Sequence, residues 1–564
     1  MKIVQRVAAA VVLLLVAYAV AAFAIGRVIV SETVRFSEAL SAQPGVTVRR
    51  LDYEAGLLGG TLRYDFDYAP PPDSLLAATG WTVARTVRGE MPMRHGPWVG
   101  DGFALATGHG RVEVPEDLRR ELPGLTADRP LIESHLRIPF DRSVHATFTG
   151  LEHDGPLTSD YPGARHGMLR LAGVEAHANF DAALNRLDLG LGVRTARFDV
   201  TEPVDEAGRL AVEGLRVRAD LVRVGADWTG PVDVALAGLD IALPEGDWRM
   251  AGFTSEAALS VVSTPYGERP GLRGRFVLDA FDLDARGDHP VRLHVAGMQG
   301  LADAVEEWPQ MWTGTSSLGT GPIDLSATGG SVRWDSFVIE SETVRRDALL
   351  DQTLTFRIGP VAFDDARLGG GRLTFFMKGV DGAALSELVE VLSRHAVDPP
   401  QASDDEVAEV LLRSAETIFA GAPAVAIDYL GLSVLEEADL QGRIEVSLRP
   451  AQGAPMEWAQ LSDRVRVQGG ARAALGAVRH LIRLSVATEL RGHGLSGHEL
   501  DAIAEARLDD WLQRMRESPY VAVIGDAVST QIGYADGMLT FNGAPVDPTL
   551  LLFMLALAGA ALGS

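Results

Sequence analysis

The chain has 564 residues, and its 51 lysines and arginines against 76 aspartates and glutamates give a formal net charge of −25 at pH 7. It has no cysteine, which excludes disulfide bonds, thiol catalysis and cysteine-ligated metal sites. We expect no nucleic-acid partner, because counterion release from phosphates requires clustered basic residues and the sequence pI is about 4.9.

The N-terminal segment from Val7 to Ile25 contains 19 residues without a charge. About 20 apolar residues match the hydrocarbon core of a bilayer, whereas the apolar region of a signal peptide has only about 7 to 15 residues. Ala22 and Ala24 do form an A-x-A-like cleavage site, so a cleaved signal remains the alternative. We predict an uncleaved membrane helix.

The basic residues Lys2 and Arg6 precede this segment on its short side. The positive-inside tendency therefore places the N-terminus in the cytoplasm and the bulk of the chain outside it. The sequence therefore predicts a single-pass membrane protein whose bulk lies outside the cytoplasm.

After a juxtamembrane stretch from Gly26 to Ala42, apolar and polar residues alternate with a period of two for more than 300 residues. This pattern is typical of half-buried strands, and 60 glycines indicate frequent turns and bulges. The clearest alternating sets are Leu187, Leu189, Leu191 and Val193; Val232, Val234 and Leu236; Leu354, Phe356 and Ile358; and Leu373, Phe375 and Met377.

Helical spacing appears in the last 190 residues or so of the chain. Apolar stripes predict helices over 385–392, over 406–418 behind a capping box that begins at Ser403, and over 499–515 behind a capping box formed by Ser496 and Glu499. A hairpin is predicted between 425–429 and 444–448. The final apolar run from Leu550 to Leu562 is too short to span a bilayer and predicts a docked core helix.

These patterns predict an α+β fold that is predominantly β. It would consist of an N-terminal transmembrane helix, a large extended antiparallel β structure and several helices in the C-terminal third. The predicted parts are a cytoplasmic tip and anchor at 1–26, an N-terminal β region at 27–149, a middle β-rich region at 150–380 and a C-terminal α+β region at 381–564.

Four segments in this order resemble the YdgA-like family of bacterial proteins, which is built around a domain of unknown function. They are PGVTVRRLDYEAGLLGGTLRYDFDY from Pro44 to Tyr68, the element His95-Gly96-Pro97, PAVAIDYLGLSVLEEADLQGRIEVSL from Pro423 to Leu448, and IGYADGMLTFNGAPVDP from Ile532 to Pro548. The resemblance implies an inner-membrane anchor and a periplasmic bulk, and it supplies no catalytic residue set.

The conspicuous residues of these segments have a structural interpretation. Glycine and proline at these positions favour turns and sharp corners, and the dipeptides around Gly537 and Gly543 are strong hairpin signals. A functional histidine at His95 stays open as the alternative. The residues concerned are Tyr53, Gly56, His95, Gly96, Pro97, Gly537, Asn542 and Gly543.

A search for reaction chemistry finds no recognisable motif. The 13 histidines include no HExxH zinc motif, no GxSxG nucleophile elbow is present, and Gly369-Gly370-Gly371 precedes a strand instead of following one. His135 and His145, ten residues apart, could approach each other across a sheet. We therefore predict no catalytic, cofactor-binding or metal-binding residues and no cofactor.

The function most consistent with these observations is a non-enzymatic, membrane-anchored periplasmic protein of the bacterial envelope that binds a lipid or another envelope component. One alternative is an envelope hydrolase whose site is assembled from distant strands. Another is a purely structural or scaffolding protein. A continuous apolar concavity of several hundred Å³ would favour lipid binding.

Overall fold

The computed structural model places most of the chain. The residues it describes are 2–41, 45–69, 85–99, 102–112, 132–150, 152–157, 166–183, 185–202, 208–225, 227–265, 267–287, 289–308, 311–328, 330–363, 366–397, 404–434, 439–449, 464–490 and 496–546. The C-terminal apolar run and the capping residue Ser403 lie outside them.

Long antiparallel strands make up most of the described structure, as the sequence predicts. The helices are α1 (Lys2–Ser41), α2 (Gly382–Val397), α3 (Asp404–Ala420), α4 (Leu475–Glu489) and α5 (Gly497–Glu517). The strands are β1 (Val46–Ala55), β2 (Gly59–Tyr68), β3 (Arg85–His95), β4 (Ala106–Val112), β5 (Ile132–Ile138), β6 (Val144–Gly150), β7 (His153–Leu157), β8 (His166–Phe180), β9 (Arg186–Glu202), β10 (Gly208–Val224), β11 (Asp227–Leu243), β12 (Gly246–Thr264), β13 (Gly267–Ala285), β14 (Val291–Trp308), β15 (Met311–Thr320), β16 (Ile323–Ala327), β17 (Gly330–Trp334), β18 (Phe337–Arg346), β19 (Leu349–Ile358), β20 (Val361–Phe363), β21 (Ala366–Leu368), β22 (Gly371–Asp381), β23 (Ala424–Leu432), β24 (Leu440–Leu448), β25 (Val465–Ala474), β26 (Ala522–Ile524), β27 (Ala527–Ala535), β28 (Met538–Phe541) and β29 (Ala544–Val546).

The chain forms two compact units. Unit 1 comprises Met1–Ser260 and Leu283–Gly287, and unit 2 comprises Val261–Asp282 and Asp288–Ser564. Strands β12 and β13 contribute residues to both units.

Unit 1 is an antiparallel meander. Each strand from β1 to β6 pairs with the next, β6 pairs with β8, and the ladder continues in order from β8 to β12. The short strand β7 also pairs with β8, along the half of β8 that β6 does not occupy. Strands β4, β5 and β6 have 7 residues each, whereas β9, β10 and β11 have 17 each.

Helix α1 is one continuous helix of 40 residues. The stretch beyond Gly26, which the sequence treats as a separate juxtamembrane segment, is therefore helical through Ser41. By length and composition, Ala17–Glu38 is apolar enough to cross a membrane. Ile29 packs instead into a core with the sheet residues Tyr53, Met91, Met93 and Ala106.

Unit 2 combines a branched antiparallel sheet with two helix pairs. The first half of β14 pairs with β16 and its second half with β15, and the latter branch continues through β18, β19, β22, β23, β24 and β25 to β27. Helix α2 packs against α3, and α4 packs against α5. The predicted hairpin is confirmed as β23 and β24.

The C-terminal helices α2, α3 and α5 are confirmed where the apolar stripes predict them. The capping box of α5 is also present: the Ser496 hydroxyl accepts from the Glu499 N–H, and the Glu499 carboxylate accepts from the Ser496 N–H at 2.8 Å. The sequence reading missed α4, which begins after Ala474 without any side-chain cap.

Candidate functional site

The motif residues of the N-terminal region meet where α1 crosses the ends of β1 and β3. Tyr53 lies near the end of β1, and His95 is the last residue of β3. The Tyr53 hydroxyl and His95 Nδ1 form a hydrogen bond of 2.5 Å. Both side chains are buried, with only 1% of His95 exposed.

Two glycines allow α1 to approach this pair closely. A β-carbon at Gly26 of α1 would lie 2.9 Å from Cε1 and Nε2 of the His95 ring. A β-carbon at Gly96 would lie 2.9 Å from the Tyr18 hydroxyl, and Gly96 has a φ of +146°, which side chains rarely adopt. Glycine at both positions is thus a requirement of the helix-to-sheet contact, and the half-buried Pro97 then continues the corner.

Burial favours the neutral forms of Tyr53 and His95. It lowers the pKa of His95, and the nearby carbonyls of Leu57 and Gly56 oppose that shift without reversing it. Burial also raises the pKa of Tyr53 to about 12. A buried imidazole whose Nδ1 is engaged by a tyrosine and whose other edge is covered by a helix has no path to a substrate, so this geometry favours a structural role for His95.

A cavity of about 330 Å³ lies between α1 and the sheet of unit 1, beyond this crossing. Its walls come from one face of α1 and from strands β1, β2, β3, β5, β6 and β8, together with Leu105 just before β4. Most of the lining is apolar. The apolar lining residues are Val28, Ile29, Phe36, Leu40, Leu51, Leu62, Tyr64, Phe66, Met91, Met93, Leu105, Leu136, Ile138, Val144, Ala146, Phe148, Ala178, Phe180 and Ala182.

Charged side chains line one part of the cavity. Glu32 of α1 pairs with Arg35 at 3.1 Å and with Arg142 of the β5–β6 turn at 3.5 Å. Asp181, directly after β8, also belongs to the lining. Arg35 and Arg142 are more than half exposed, so these groups connect an apolar interior to water.

The apolar wall continues past the cavity along the sheet. Ala146 stands opposite Ala178, which stands opposite Leu189, then Ala219 and finally Val232. Residues directly opposite in antiparallel strands point to the same face. A second row two residues away is Phe148, Ala176, Leu191, Val217 and Val234.

The opposite face of these strands is charged. Arg186 pairs there with Asp220 at 2.7 Å. The exposed Asp220 has its pKa lowered chiefly by the hydrogen bond from Arg186. The ladder β8–β11 is therefore a two-sided sheet with one apolar face and one polar face.

Three histidines of strands β4, β5 and β6 lie near one another, and their geometry can be compared with that of metal sites and catalytic histidines. His109 and His135 stack as direct partners across β4 and β5, with ring centroids 4.4 Å apart. His135 pairs with Thr147 and His145 with Arg137, so the register makes His135 and His145 diagonal neighbours on one face of β5 and β6. Among the described residues no group of three potential metal ligands occurs.

His145 bridges Ser143 and Asn179, with Nε2 at 3.0 Å from the serine oxygen and Nδ1 at 3.0 Å from the amide oxygen. The Asp141 carboxylate also lies 2.7 Å from the Ser143 hydroxyl and competes with His145 for its one proton. A nucleophilic serine needs that proton on the histidine side. The geometry therefore does not match an activated serine.

The motif residues near the C-terminus form turns within unit 2. Asp536 and Gly537 both have positive φ between β27 and β28, and Asn542 and Gly543 do so between β28 and β29. The Asn542 side-chain oxygen accepts from the Gln531 N–H at 2.8 Å. These residues set the registers of two hairpins.

A family model described as a bacterial protein of unknown function (DUF945) matches residues 1–264 and 271–549. The chain belongs to this family. No curated protein and no solved structure matches it. The family match includes α1, the cavity and the C-terminal hairpins, while the family description assigns no activity to any of them.

Sequence reasoning did not find the cavity or the contact of Tyr18 and Gly26 with the sheet. Hydropathy places Tyr18 inside the apolar segment Val7–Ile25 and Gly26 directly after it, whereas in the fold their partners lie some 70 to 80 residues further along the chain. The available signal was the pair of glycines, Gly26 in an otherwise apolar helix and Gly96 beside His95.

Proposed function

We propose that the protein is a non-enzymatic, inner-membrane-anchored component of the bacterial envelope whose bulk lies in the periplasm and which binds a lipid acyl chain in the cavity of unit 1. The observation that carries this proposal is the apolar cavity of about 330 Å³ between α1 and the sheet.

The size of the cavity favours one chain over a whole lipid. Ligand pockets range from about 300 to 1,000 Å³, so this one is near the lower limit. A single acyl chain fits such a volume, and a longer chain could extend over the neighbouring apolar rows. Leu191 in the second row is 41% exposed, which leaves apolar surface for such contact.

The charged side chains suit a polar headgroup. Arg35 and Arg142 both lie beside Glu32 and are more than half exposed. Guanidinium groups bind phosphate or carboxylate through paired hydrogen bonds. An anionic headgroup would exchange places with Glu32 as the partner of these arginines.

The proposed anchor is the first part of α1, from Val7 to Ile25. Its support is the apolar length of the segment, its position at the N-terminus and the basic residues Lys2 and Arg6 before it. The resemblance to YdgA-like proteins supports the same inner-membrane location and periplasmic bulk.

The test compares two variants of the full-length protein purified from bacterial membranes. Ala146→Phe places a ring in the cavity, and Thr149→Phe places the same ring on the exposed opposite face of β6. Both variants keep α1, so both carry the same lipid around the proposed anchor. Bound lipid is extracted and quantified by mass spectrometry.

We expect A146F to lose a stoichiometric lipid that the wild-type protein and T149F retain. Equal lipid content in all three proteins would contradict binding in the cavity. If the wild-type protein carries only lipid that exchanges freely with detergent, a scaffolding role becomes the better proposal, and crosslinking in cells would identify the protein partner.

A further inference from the structure

Unit 1 presents a group of exposed apolar side chains at one end of its sheet. Leu57 and Leu58 form the β1–β2 turn and are 57% and 51% exposed. Trp98 and Phe103 lie in the β3–β4 connection and are 54% and 66% exposed. We call these four residues the apolar tip.

The tip is one connected structure. The His95 N–H donates to the Leu58 carbonyl at 3.2 Å, which joins the β1–β2 turn to the end of β3. The rings of Trp98 and Phe103 meet edge to face with their centroids 4.7 Å apart. Such a contact holds two exposed rings in a fixed arrangement before any partner arrives.

Helix α1 passes directly beside the tip. The Tyr18 hydroxyl donates to the Trp98 carbonyl at 2.7 Å, and Ala22, one turn further along, is completely buried. The tip is therefore level with residue 18 of the helix. That level lies inside the apolar segment Val7–Ile25, not at its end.

The rise of the helix gives the depth of this contact below the membrane boundary. At 1.5 Å per residue, the segment Val7–Ile25 is about 28 Å long, close to the bilayer core of about 30 Å, so the proposed span needs all of it. Tyr18 is seven residues before Ile25, or about 10 Å below the boundary on the same scale. Trp98 is bonded to Tyr18 and lies at the same depth.

We infer that the apolar tip is inserted into the periplasmic leaflet of the membrane that holds α1. This inference rests on the proposed membrane anchor. Tryptophan, phenylalanine and leucine are the residues by which interfacial segments enter the headgroup and acyl boundary, to a depth of about 5 to 10 Å. The partner surface is thus lipid, and the tip and α1 form one combined anchor.

Insertion of the tip would also set the height of the cavity. Glu32 lies seven residues beyond Ile25, or about 10 Å above the membrane boundary along a helix of 1.5 Å per residue. The charged part of the cavity would then face the headgroup layer from just outside it. A lipid could reach the cavity without leaving the membrane surface completely.

The test uses single cysteines, which the cysteine-free chain permits without background labelling. Leu57→Cys, Trp98→Cys and Phe103→Cys are made separately in the full-length chain and labelled with an environment-sensitive fluorophore. Each protein is reconstituted in phosphatidylethanolamine and phosphatidylglycerol vesicles with or without lipids that carry a nitroxide on the acyl chain. Tyr18 bonds to the backbone of Trp98, so W98C preserves that contact.

Two further positions serve as controls. Phe140 is 50% exposed, like the tip residues, but it lies in the β5–β6 turn, whose Arg142 contacts Glu32. Glu32 is 14 residues beyond Tyr18 in α1. The β5–β6 turn therefore lies about 21 Å further from the bilayer centre than the apolar tip, measured along the helix. Val20→Cys reports on the anchor itself, because Val20 lies within the apolar segment and is 63% exposed.

We expect acyl-chain nitroxides to quench labels at 57, 98 and 103 by about twofold or more, as for side chains buried in the boundary region, and to leave the label at 140 unchanged. Quenching at 20 without quenching at the three tip positions would overturn the inserted tip and leave the anchor standing. Absence of quenching at 20 as well would overturn the proposed anchor.

Discussion

Units 1 and 2 both place helices against antiparallel strands, but they differ in how the space beneath the helices is filled. In unit 2, small side chains bring α2 and α3 close to their neighbours: Ala384, Ser386 and Ser414 are all almost completely buried. Gly382, at the start of α2, lies against the ring of Trp308. In the described part of unit 1, one helix, α1, lies over the sheet beside a cavity of about 330 Å³.

The difference comes from where the close contacts lie. Helix α1 is held near Gly26 by the His95 ring, and near Phe36 by Phe180, whose ring centroid is 6.1 Å away. Between these two points Ile29 also packs against the sheet, in a core with Tyr53, Met91, Met93 and Ala106, and the cavity lies beside these contacts. In unit 2, small residues bring paired helices close to their neighbours, whereas in unit 1 larger side chains hold α1 on the sheet and a cavity remains beside them.

The largest effect should come from creating a void where none exists. Leu350 of β19 in unit 2 is 1% exposed, and Leu350→Ala should lower the free energy of unfolding by about 2 to 5 kcal/mol. Leu62→Ala, in the cavity wall of unit 1, should cost less than about 2 kcal/mol because its side chain already faces open space. Urea-dependent hydrogen exchange of peptides from β19 and β2 measures the two losses separately. Equal losses would contradict the comparison.

A smaller effect is expected from loosening one support of α1. Tyr53→Phe removes the hydrogen bond to His95 and leaves a buried ring nitrogen without its tyrosine partner, which should cost about 1 to 3 kcal/mol. The loss should be visible as faster hydrogen exchange in residues 18–33 of α1. Tyr520→Phe, at a ring that is 37% exposed in unit 2, is the matched control and should leave α1 unchanged. Unaltered exchange in Y53F would show that this pair does not hold the helix.

The helix pairs of unit 2 also depend on local signals. Ser496→Ala removes the hydroxyl that accepts from the Glu499 N–H, while the Ser496 N–H can still donate to the Glu499 carboxylate, and it should destabilise the first turn of α5 by about 1 kcal/mol. Exchange of the amides of residues 497–500 reports this directly. Ser518→Ala, at the other end of α5, should not affect them. A first turn that exchanges equally slowly in S496A would mean that packing against α4 suffices to hold it.

The most subtle effect is the pH dependence of the α1 contact. Burial lowers the pKa of folded His95 below the value of about 6.5 that it has when unfolded. The stabilisation by the neutral ring is therefore complete above about pH 6.5 and is lost as the pH falls through the lower, folded pKa. Protection of residues 18–33, corrected for intrinsic exchange, should decline over this range. The asparagine side chain of His95→Asn does not titrate, so the loss of protection that His95 causes should be absent in this variant. If residues 18–33 of His95→Asn lose as much protection as those of the wild-type protein, other groups cause the pH dependence.

Much of the architecture could be predicted because it depends on local periodicity. Alternation in segments such as Leu187 to Val193 requires only that one face be apolar, and β9 forms there. The start of α5 follows from Ser496 and Glu499, whose side chains satisfy backbone groups within the same turn. Helix α4 was missed because it has no such local signal: Ala474 provides no cap, and Leu490 takes the place of a C-terminal glycine.

The candidate site could not be predicted in the same way, because distances between remote residues create it. Tyr53 and His95 are 42 residues apart in sequence, and Tyr18 and Trp98 are 80 apart. No periodicity encodes which strand ends meet a helix. Gly26 and Gly96 indicated that other parts of the chain approach closely there, but not which residues do so.

The sequence by itself determined the β-rich class, the apolar N-terminal helix, the C-terminal helices that carry clear stripes, and the hairpin turns at Gly537 and Gly543. Each depends on interactions among neighbouring residues. Only the tertiary structure decided that α1 packs on the sheet of unit 1, that a cavity separates them, and that the apolar rows of β6 and β8–β11 align into one face. These features depend on strand register and on the volume left between packed elements, which a linear sequence of side chains does not specify.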